Sequence, residues 1–78
     1  MSLENELSNA LNETGLDFFN QLEETEQFIA DFLSQRGYKL GELKIQEQPN
    51  YWREMILLCL DDKNRGFRMN IAIIETNL

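Results

Sequence analysis

The side chains that most often perform acid–base and nucleophilic chemistry are scarce in this sequence, whose 78 residues contain no histidine. Histidine is the commonest acid–base group, the usual partner of a nucleophilic serine or cysteine, and a standard zinc ligand. Adjacent acids do occur, at Glu23 with Glu24 and at Asp61 with Asp62. Neighbours in a helix point apart and acids in a loop stay solvated, so neither pair has a reason to acquire a shifted pKa. We therefore predict no catalytic residue and no enzyme activity.

Sites for cofactors and metals are also without support in the sequence. The phosphate-loop pattern GxxxxGK(S/T), the dinucleotide pattern GxGxxG and the calcium pattern DxDxDG do not occur. Cys59 is the single cysteine and lies in the apolar run 55–60, where a cysteine usually behaves as a small buried hydrophobe with an inert thiol. We predict no cofactor and no bound metal.

Charge is distributed unevenly along the chain, which has 14 acidic and 7 basic residues and a net charge of −7. Residues 1–35 contain eight acids and no base, whereas residues 36–78 contain six acids and seven bases. In the second predicted helix Asp17, Glu24 and Asp31 follow one another at seven-residue intervals, which places them along one face. We call these three residues the acidic ridge and predict that it binds a basic protein partner.

Two alternative functions are based on the acidic residues in one case and on the basic residues in the other. In one, carboxylates stand where phosphates would stand and occupy the basic groove of a DNA- or RNA-binding enzyme. In general plan the chain then resembles the small acidic DNA-mimicking inhibitors carried by phages. In the other, the hairpin at residues 61–68 binds nucleic acid through Lys63, Arg65 and Arg68, with Arg53 beside Tyr51 and Trp52. The acidic helices repel phosphate and make this second alternative the less favoured one.

Two helices are predicted to carry the acidic half of the chain. Ser2 is a suitable N-cap for a first helix over residues 3–12, and Thr14 resembles a cap for the next one. The second helix is predicted over residues 17–35 and ends at Gly37, although a break near residues 23–25 is an alternative. Its core-facing arc contains Phe18, Leu22, Ile29, Phe32 and Leu33, with Thr25 in the remaining gap.

Three strands are predicted after Gly37, where the apolar period changes to two. Their ranges are 40–47, 51–60 and 67–76, with a turn at Pro49 and Asn50 and a polar loop at 61–66. The expected fold is α+β, with two N-terminal helices packed on one face of a three-stranded antiparallel meander (α-α-β-β-β). Residues 1–78 are expected to form a single domain.

The central predicted strand is apolar on both faces and indicates a second contact surface. If Ile56, Leu58 and Leu60 face the helices, Met55, Leu57 and Cys59 face away, beside Ala72 and Ile74. Two short helices cover one side of a small sheet, so we predict that these last five residues form the face of a homodimer. The alternative is that the ends of the chain fold across this face.

These observations together predict a small, acidic, non-enzymatic protein that binds another protein. The longest apolar run has six residues, whereas a membrane-spanning helix needs about 20. The first residues lack the basic start and apolar stretch of a secretory signal, so the expected location is cytoplasmic. The expected partners are a basic protein and a second copy of the chain, rather than nucleic acid, a membrane or a metal.

Overall fold

The computed structural model describes residues 2–47 and 52–74 and shows two helices followed by three strands. The three strands form one antiparallel sheet in the order β1-β2-β3, with α2 packed on β1 and α1 packed on β3. This confirms the predicted α+β fold, including the central position of β2. The predicted turn at residues 49–50, Tyr51 and the end of the third predicted strand at 75–76 lie outside the described residues. The elements are α1 (Leu3–Thr14), α2 (Leu22–Ser34), β1 (Lys39–Glu47), β2 (Trp52–Leu60) and β3 (Gly66–Ile74).

Helix α1 begins as predicted and ends two residues later than predicted. The Ser2 hydroxyl accepts a hydrogen bond from the backbone N–H three residues further on, at 3.1 Å, which is the geometry of an N-cap. The helix ends at Gly15, whose left-handed φ of 72° favours glycine. Thr14 closes this helix, so its prediction as the cap of the next one was wrong. Its hydroxyl donates to the carbonyl of Leu11 at 2.7 Å and accepts from the N–H of Leu16 at 3.1 Å.

Helix α2 begins at Leu22, five residues after the predicted start at Asp17. The Asp17 carboxylate accepts hydrogen bonds from the N–H groups of Phe19 and Asn20, at 3.1 and 3.2 Å. Gln21 adds a side-chain bond to the N–H of Asp17 at 3.0 Å. A short acidic side chain that captures nearby backbone donors favours a turn over a helix. The local hydrogen bonds of Asp17 therefore delay the start of α2.

Gly37 follows the end of α2, where the prediction placed the stop signal. Its φ is 83°, and its N–H donates to the carbonyl of Ser34 at 3.1 Å. The N–H of Tyr38 donates to the carbonyl of Leu33 at 2.9 Å, so the two bonds together form a Schellman motif. A residue with a Cβ is strained in this left-handed conformation. Glycine therefore sets the point at which the chain leaves the helix for β1.

The sheet register places Leu58 of β2 between Glu42 of β1 and Arg68 of β3. Pairing between β1 and β2 shifts by one residue between Leu40 and Glu42, which leaves Gly41 in a β-bulge. A Cβ on Gly41 would lie 3.0 Å from the carbonyl oxygen of Leu58. A larger residue would force the two backbones apart by a few tenths of an ångström, so the close approach favours glycine here.

One hydrophobic core fills the space between the helices and the inner face of the sheet, by which we mean the face that the helices cover. Thr25 occupies the predicted gap in α2, and its hydroxyl donates to the carbonyl of Gln21 at 2.8 Å. Leu22 is 40% exposed as the first residue of the helix, so its prediction as a core residue was wrong. The buried residues are Leu7, Leu11, Thr25, Ile29, Phe32, Leu33, Met55, Leu57, Cys59, Met69 and Ile71.

The side chains of β2 that face the helices are the alternate set to the one that was predicted. Met55 and Leu57 are 0% exposed and Cys59 is 2% exposed, so all three belong to the core. Their prediction as a dimer face was therefore wrong. Leu58, which was predicted to face the helices, is 38% exposed on the opposite side of the sheet, which we call the outer face. Ala72 is exposed on the outer face, away from the helices as predicted, but it pairs with Glu54 and therefore does not share a face with the three buried residues. The side chain of Ile74 lies outside the described residues.

The alternation of β2 is set by its partner strand. Met55 is paired with Ile71 and Leu57 with Met69, and residues directly opposite each other share a face of the sheet. Strand β3 has a clear apolar face, because polar residues alternate with its apolar ones near Asn70. The run 55–60 has no alternation of its own. The choice between its two faces is therefore made by β3 and by the helices that cover it.

Candidate protein-binding surfaces

The acidic ridge is only partly assembled in the structure. Glu24 and Asp31 are exposed on α2 and are separated by seven residues, or about 10 Å along the helix axis. Asp17 lies in the turn before this helix, so its prediction as a third member of the same helical face was wrong. Its carboxylate accepts a bond from the side chain of Asn20 at 2.7 Å. That bond, two backbone N–H groups and the nearby charge of Arg53 lower the pKa of Asp17.

Helix α2 nevertheless presents a continuous acidic surface, formed by Glu23, Glu24, Glu26 and Asp31. All four side chains are exposed, and the helix contains no basic residue. Gln27 lies between them and donates to the Asp31 carboxylate at 3.0 Å. No ion pair to these four carboxylates occurs within the described part of the chain. We call these four residues the acidic α2 surface.

A shallow depression of about 430 Å³ lies beside this surface, between α2 and β1. Glu23 and Glu26 stand at its edge, and Ala30 and Leu40 supply apolar contacts. Lysine and arginine carry an aliphatic stem that packs on apolar surface and a charged end that stays near water or a carboxylate. The depression therefore has the chemistry to receive a basic side chain.

Arg36, the first basic residue of the chain, is directed away from the acidic α2 surface. Its guanidinium lies 3.6 Å from the ring centroid of Phe32 and donates to the carbonyl of that residue at 3.1 Å. It also forms an ion pair with Glu6 of α1, with 3.7 Å between Nε and Oε2. These contacts hold Arg36 at the C-terminus of α2, where a positive charge is favourable to the helix dipole.

Arg53 is separated from the other bases proposed for nucleic-acid binding, which lie in or next to the hairpin loop. Lys63 is at the hairpin loop that follows β2, whereas Arg53 is at the start of β2 and lies 4.1 Å from the ring centroid of Phe19. Arg68 bonds to the side chain of Asn70 on the outer face, at 2.9 Å. Tyr51 and the side chain of Trp52 lie outside the described residues. The predicted combination of hairpin bases with Arg53 was therefore wrong in its geometry.

Asp61 organises the hairpin loop and is not an isolated solvated acid. Its carboxylate accepts bonds from the N–H groups of Arg65 and Lys63, each at 2.9 Å, and forms an ion pair with the Arg65 guanidinium at 2.9 Å. The bond from the Arg65 N–H and these other contacts lower the pKa of Asp61. Asn64 has a left-handed φ of 60°, which asparagine tolerates well. The expectation that this acid has no reason for a shifted pKa was wrong.

Cys59 is enclosed by the core, and burial raises the pKa of its thiol. We expect slow reaction with thiol reagents in the folded protein and fast reaction in denaturant, because the thiolate is the reactive form. The folded state disfavours the thiolate, so its contribution to stability is complete below about pH 8.5 and declines as the pH rises above this ordinary value. Urea unfolding from pH 7 to pH 10 measures this decline.

Cys59→Ala is the control for this experiment, because lysine and tyrosine also titrate at high pH. The variant is expected to be less stable at pH 7 but to lose less stability between pH 8.5 and pH 10. Equal losses in the two proteins would contradict a buried, protonated thiol.

The outer face of the sheet carries an apolar stripe along β2, formed by Ile56, Leu58 and Leu60. Leu58 is 38% exposed, and the other two are half-buried. A shallow depression of about 580 Å³ borders Leu58 and Leu60, where Gly41 and Gly66 contribute no side chains. No described element packs on this stripe, since both helices cover the inner face.

No protein-family model matches this chain, and no curated protein or solved structure is significantly similar to it. Among residues 2–47 and 52–74, no three histidine, cysteine, aspartate or glutamate side chains are arranged to hold a metal ion. Within the same ranges, neither helix has both the length and the apolar character that crossing a membrane requires.

Proposed function

We propose that this protein binds a basic protein partner through the acidic α2 surface. The observation that carries the proposal is that four exposed carboxylates share α2 without a basic residue on the helix. The helix dipole favours Glu23 and Glu24 in the first turn, but Glu23 and Glu26 lie three residues apart and repel each other by a few tenths of a kcal/mol. Asp31 lies in the last turn, where a negative charge is unfavourable to the dipole, so helix formation alone does not explain the full set of acids. Their combined negative field accelerates association with a positive surface.

The depression beside α2 gives this contact a definite position. A lysine or arginine of the partner enters between Glu23 and Glu26, and its aliphatic stem packs on Ala30 and Leu40. Glu24 and Asp31 lie further around the helix and act mainly through the field. The two pairs of acids therefore have different expected roles, one in contact and one in steering.

The experiment compares two double variants in surface-immobilised binding to the partner purified with the protein from its native cell. Glu24→Gln with Asp31→Asn is expected to slow association without changing dissociation. Glu23→Gln with Glu26→Gln is expected to slow association and also to speed dissociation, because a direct contact is lost. Both effects should shrink as salt increases, since the screening length at 0.15 M is about 8 Å.

Glu13→Gln with Asp62→Asn is the matched control, because both residues are exposed, lie outside α2 and change the net charge by the same amount. Unchanged kinetics in both α2 variants at low salt would contradict the proposal, as would equal slowing by the control. Displacement of nucleic acid from the captured partner would identify the mimicry alternative, whereas a partner without a nucleic-acid site would exclude it.

A further inference from the structure

On the outer face, residues that pair directly across β1, β2 and β3 form rows of three side chains. Two of these rows have charges that a second copy of the chain can complement. Leu58 stands between Glu42 and Arg68, which lie on the two edge strands. The next row toward the start of β2 places Ile56 between Lys44 and Asn70. Each of these two rows thus has an apolar centre and different polar groups at its ends.

We propose that a second copy of this chain covers the outer face, with a two-fold axis that runs along β2 between the two sheets. This axis places β1 of one copy over β3 of the other and keeps each row above the same row. Leu58 then packs against Leu58 of the second copy. Glu42 of each copy faces Arg68 of the other, which makes two complementary charge pairs.

Two other two-fold arrangements of the same face are unfavourable, because they place like charges opposite each other or an apolar side chain opposite a charged one. An axis perpendicular to the strands at Leu58 places Glu42 over Glu42 and Arg68 over Arg68. The same axis at Ile56 places Leu58 over the charged Glu54. Charge complementarity therefore selects the axis along β2.

Glu54 faces its own counterpart under the proposed axis, but it lies at the end of the contact. Four residues separate it from Leu58, or about 13 Å along the strand. Its carboxylate accepts a hydrogen bond from the side chain of Asn70, which directs it toward β3. Sheets packed face to face also cross at about 30°, so the ends of the strands diverge.

The size of the face predicts a weak dimer. Three strands of nine residues cover about 14 Å by 30 Å, or about 800 Å² of projected surface for two copies. Stable interfaces bury about 1,200 Å² or more in total. The expected dissociation constant is therefore on the order of tens to hundreds of micromolar. Both acidic α2 surfaces remain outside the contact, so this inference does not depend on the proposed function.

Sedimentation equilibrium between about 10 and 500 µM measures this association. The wild-type protein is expected to shift from monomer toward dimer, and Leu58→Asn to weaken the dimer about tenfold or more, as central interface residues do. Leu22→Asn is the matched control, because Leu22 is exposed to a similar extent on α2 and should leave the association unchanged.

Charge exchange tests the direction of the axis. Glu42→Arg and Arg68→Glu should each weaken self-association, because each one places like charges opposite each other. The double variant should restore it to near the wild-type value, since the pairs are re-formed with reversed sign. A wild-type monomer at 500 µM, an equal effect of Leu22→Asn, or a double variant as weak as the single ones would each overturn the proposal. Circular dichroism of every variant confirms that it is folded.

Discussion

Ile29→Asp is expected to unfold the domain, whereas Glu24→Gln is expected to leave its stability almost unchanged. Ile29 is 0% exposed at the centre of the buried face of α2, and none of the buried residues among those the structure describes is basic. A carboxylate there loses its hydration without gaining a partner, at a cost of several kcal/mol. Domains have a total stability of about 5–15 kcal/mol, and a chain of this size is expected near the lower end.

Phe32→Asp is expected to be destabilising too, but less so than Ile29→Asp. Phe32 is 9% exposed, and the Arg36 guanidinium that lies over its ring is in place to pair with a carboxylate. Urea unfolding followed by circular dichroism gives the order of the three variants. Equal stability of Ile29→Asp and Glu24→Gln would show that α2 turns its other face to the core.

Leu57→Asn and Leu58→Asn are expected to differ strongly, although they make the same change at adjacent positions. Leu57 is 0% exposed on the inner face, so an amide there leaves unsatisfied polar groups in the core and loses apolar packing. We expect a loss of about 3–5 kcal/mol, comparable with other large deletions in protein cores. Leu58 is 38% exposed, and its change should cost about 1 kcal/mol or less in the monomer.

The two free energies of unfolding must be compared in the monomer, because dimerisation stabilises the folded state of the wild-type protein. Thermal unfolding at about 5 µM protein, below the expected dissociation constant, meets this condition. A larger loss for Leu58→Asn than for Leu57→Asn would mean that β2 has the opposite alternation, as the sequence first suggested. Similar losses at both positions would mean that both faces of β2 are buried.

Local signals in the sequence predicted the element order correctly. Ser2 and Gly37 mark a helix start and a helix end through hydrogen bonds between residues close in the chain. The period-two pattern of β3 places Met69 and Ile71 on one face of the strand, and both residues are buried. The exposure of Glu24 and Asp31 on one side of α2 was also predicted, because their seven-residue spacing follows from helix geometry.

The start of α2 was predicted too early because the helical pattern of apolar residues continues through the turn. Phe18 lies at a helical interval from Leu22, yet Asp17 captures the backbone donors that a helix would leave unsatisfied. The competition between a side-chain acceptor and the helix is local, and the turn signal of Asp17 followed by Asn20 was present in the sequence. Because Asp17 lies in this turn, it is not part of the acidic ridge on α2.

The sequence by itself determined the element order, the buried face of α2 and the separation of charge along the chain, because these depend on residues within a few positions of each other. Only the tertiary structure decided which face of β2 is buried, since moving the alternation by one residue exchanges all of its side chains between the two faces. Every position of the run 55–60 is apolar, so the local pattern does not indicate whether Met55, Leu57 and Cys59 or Ile56, Leu58 and Leu60 face the core. Pairing with Met69 and Ile71 and packing under the helices supplied that preference through contacts between residues distant in the chain.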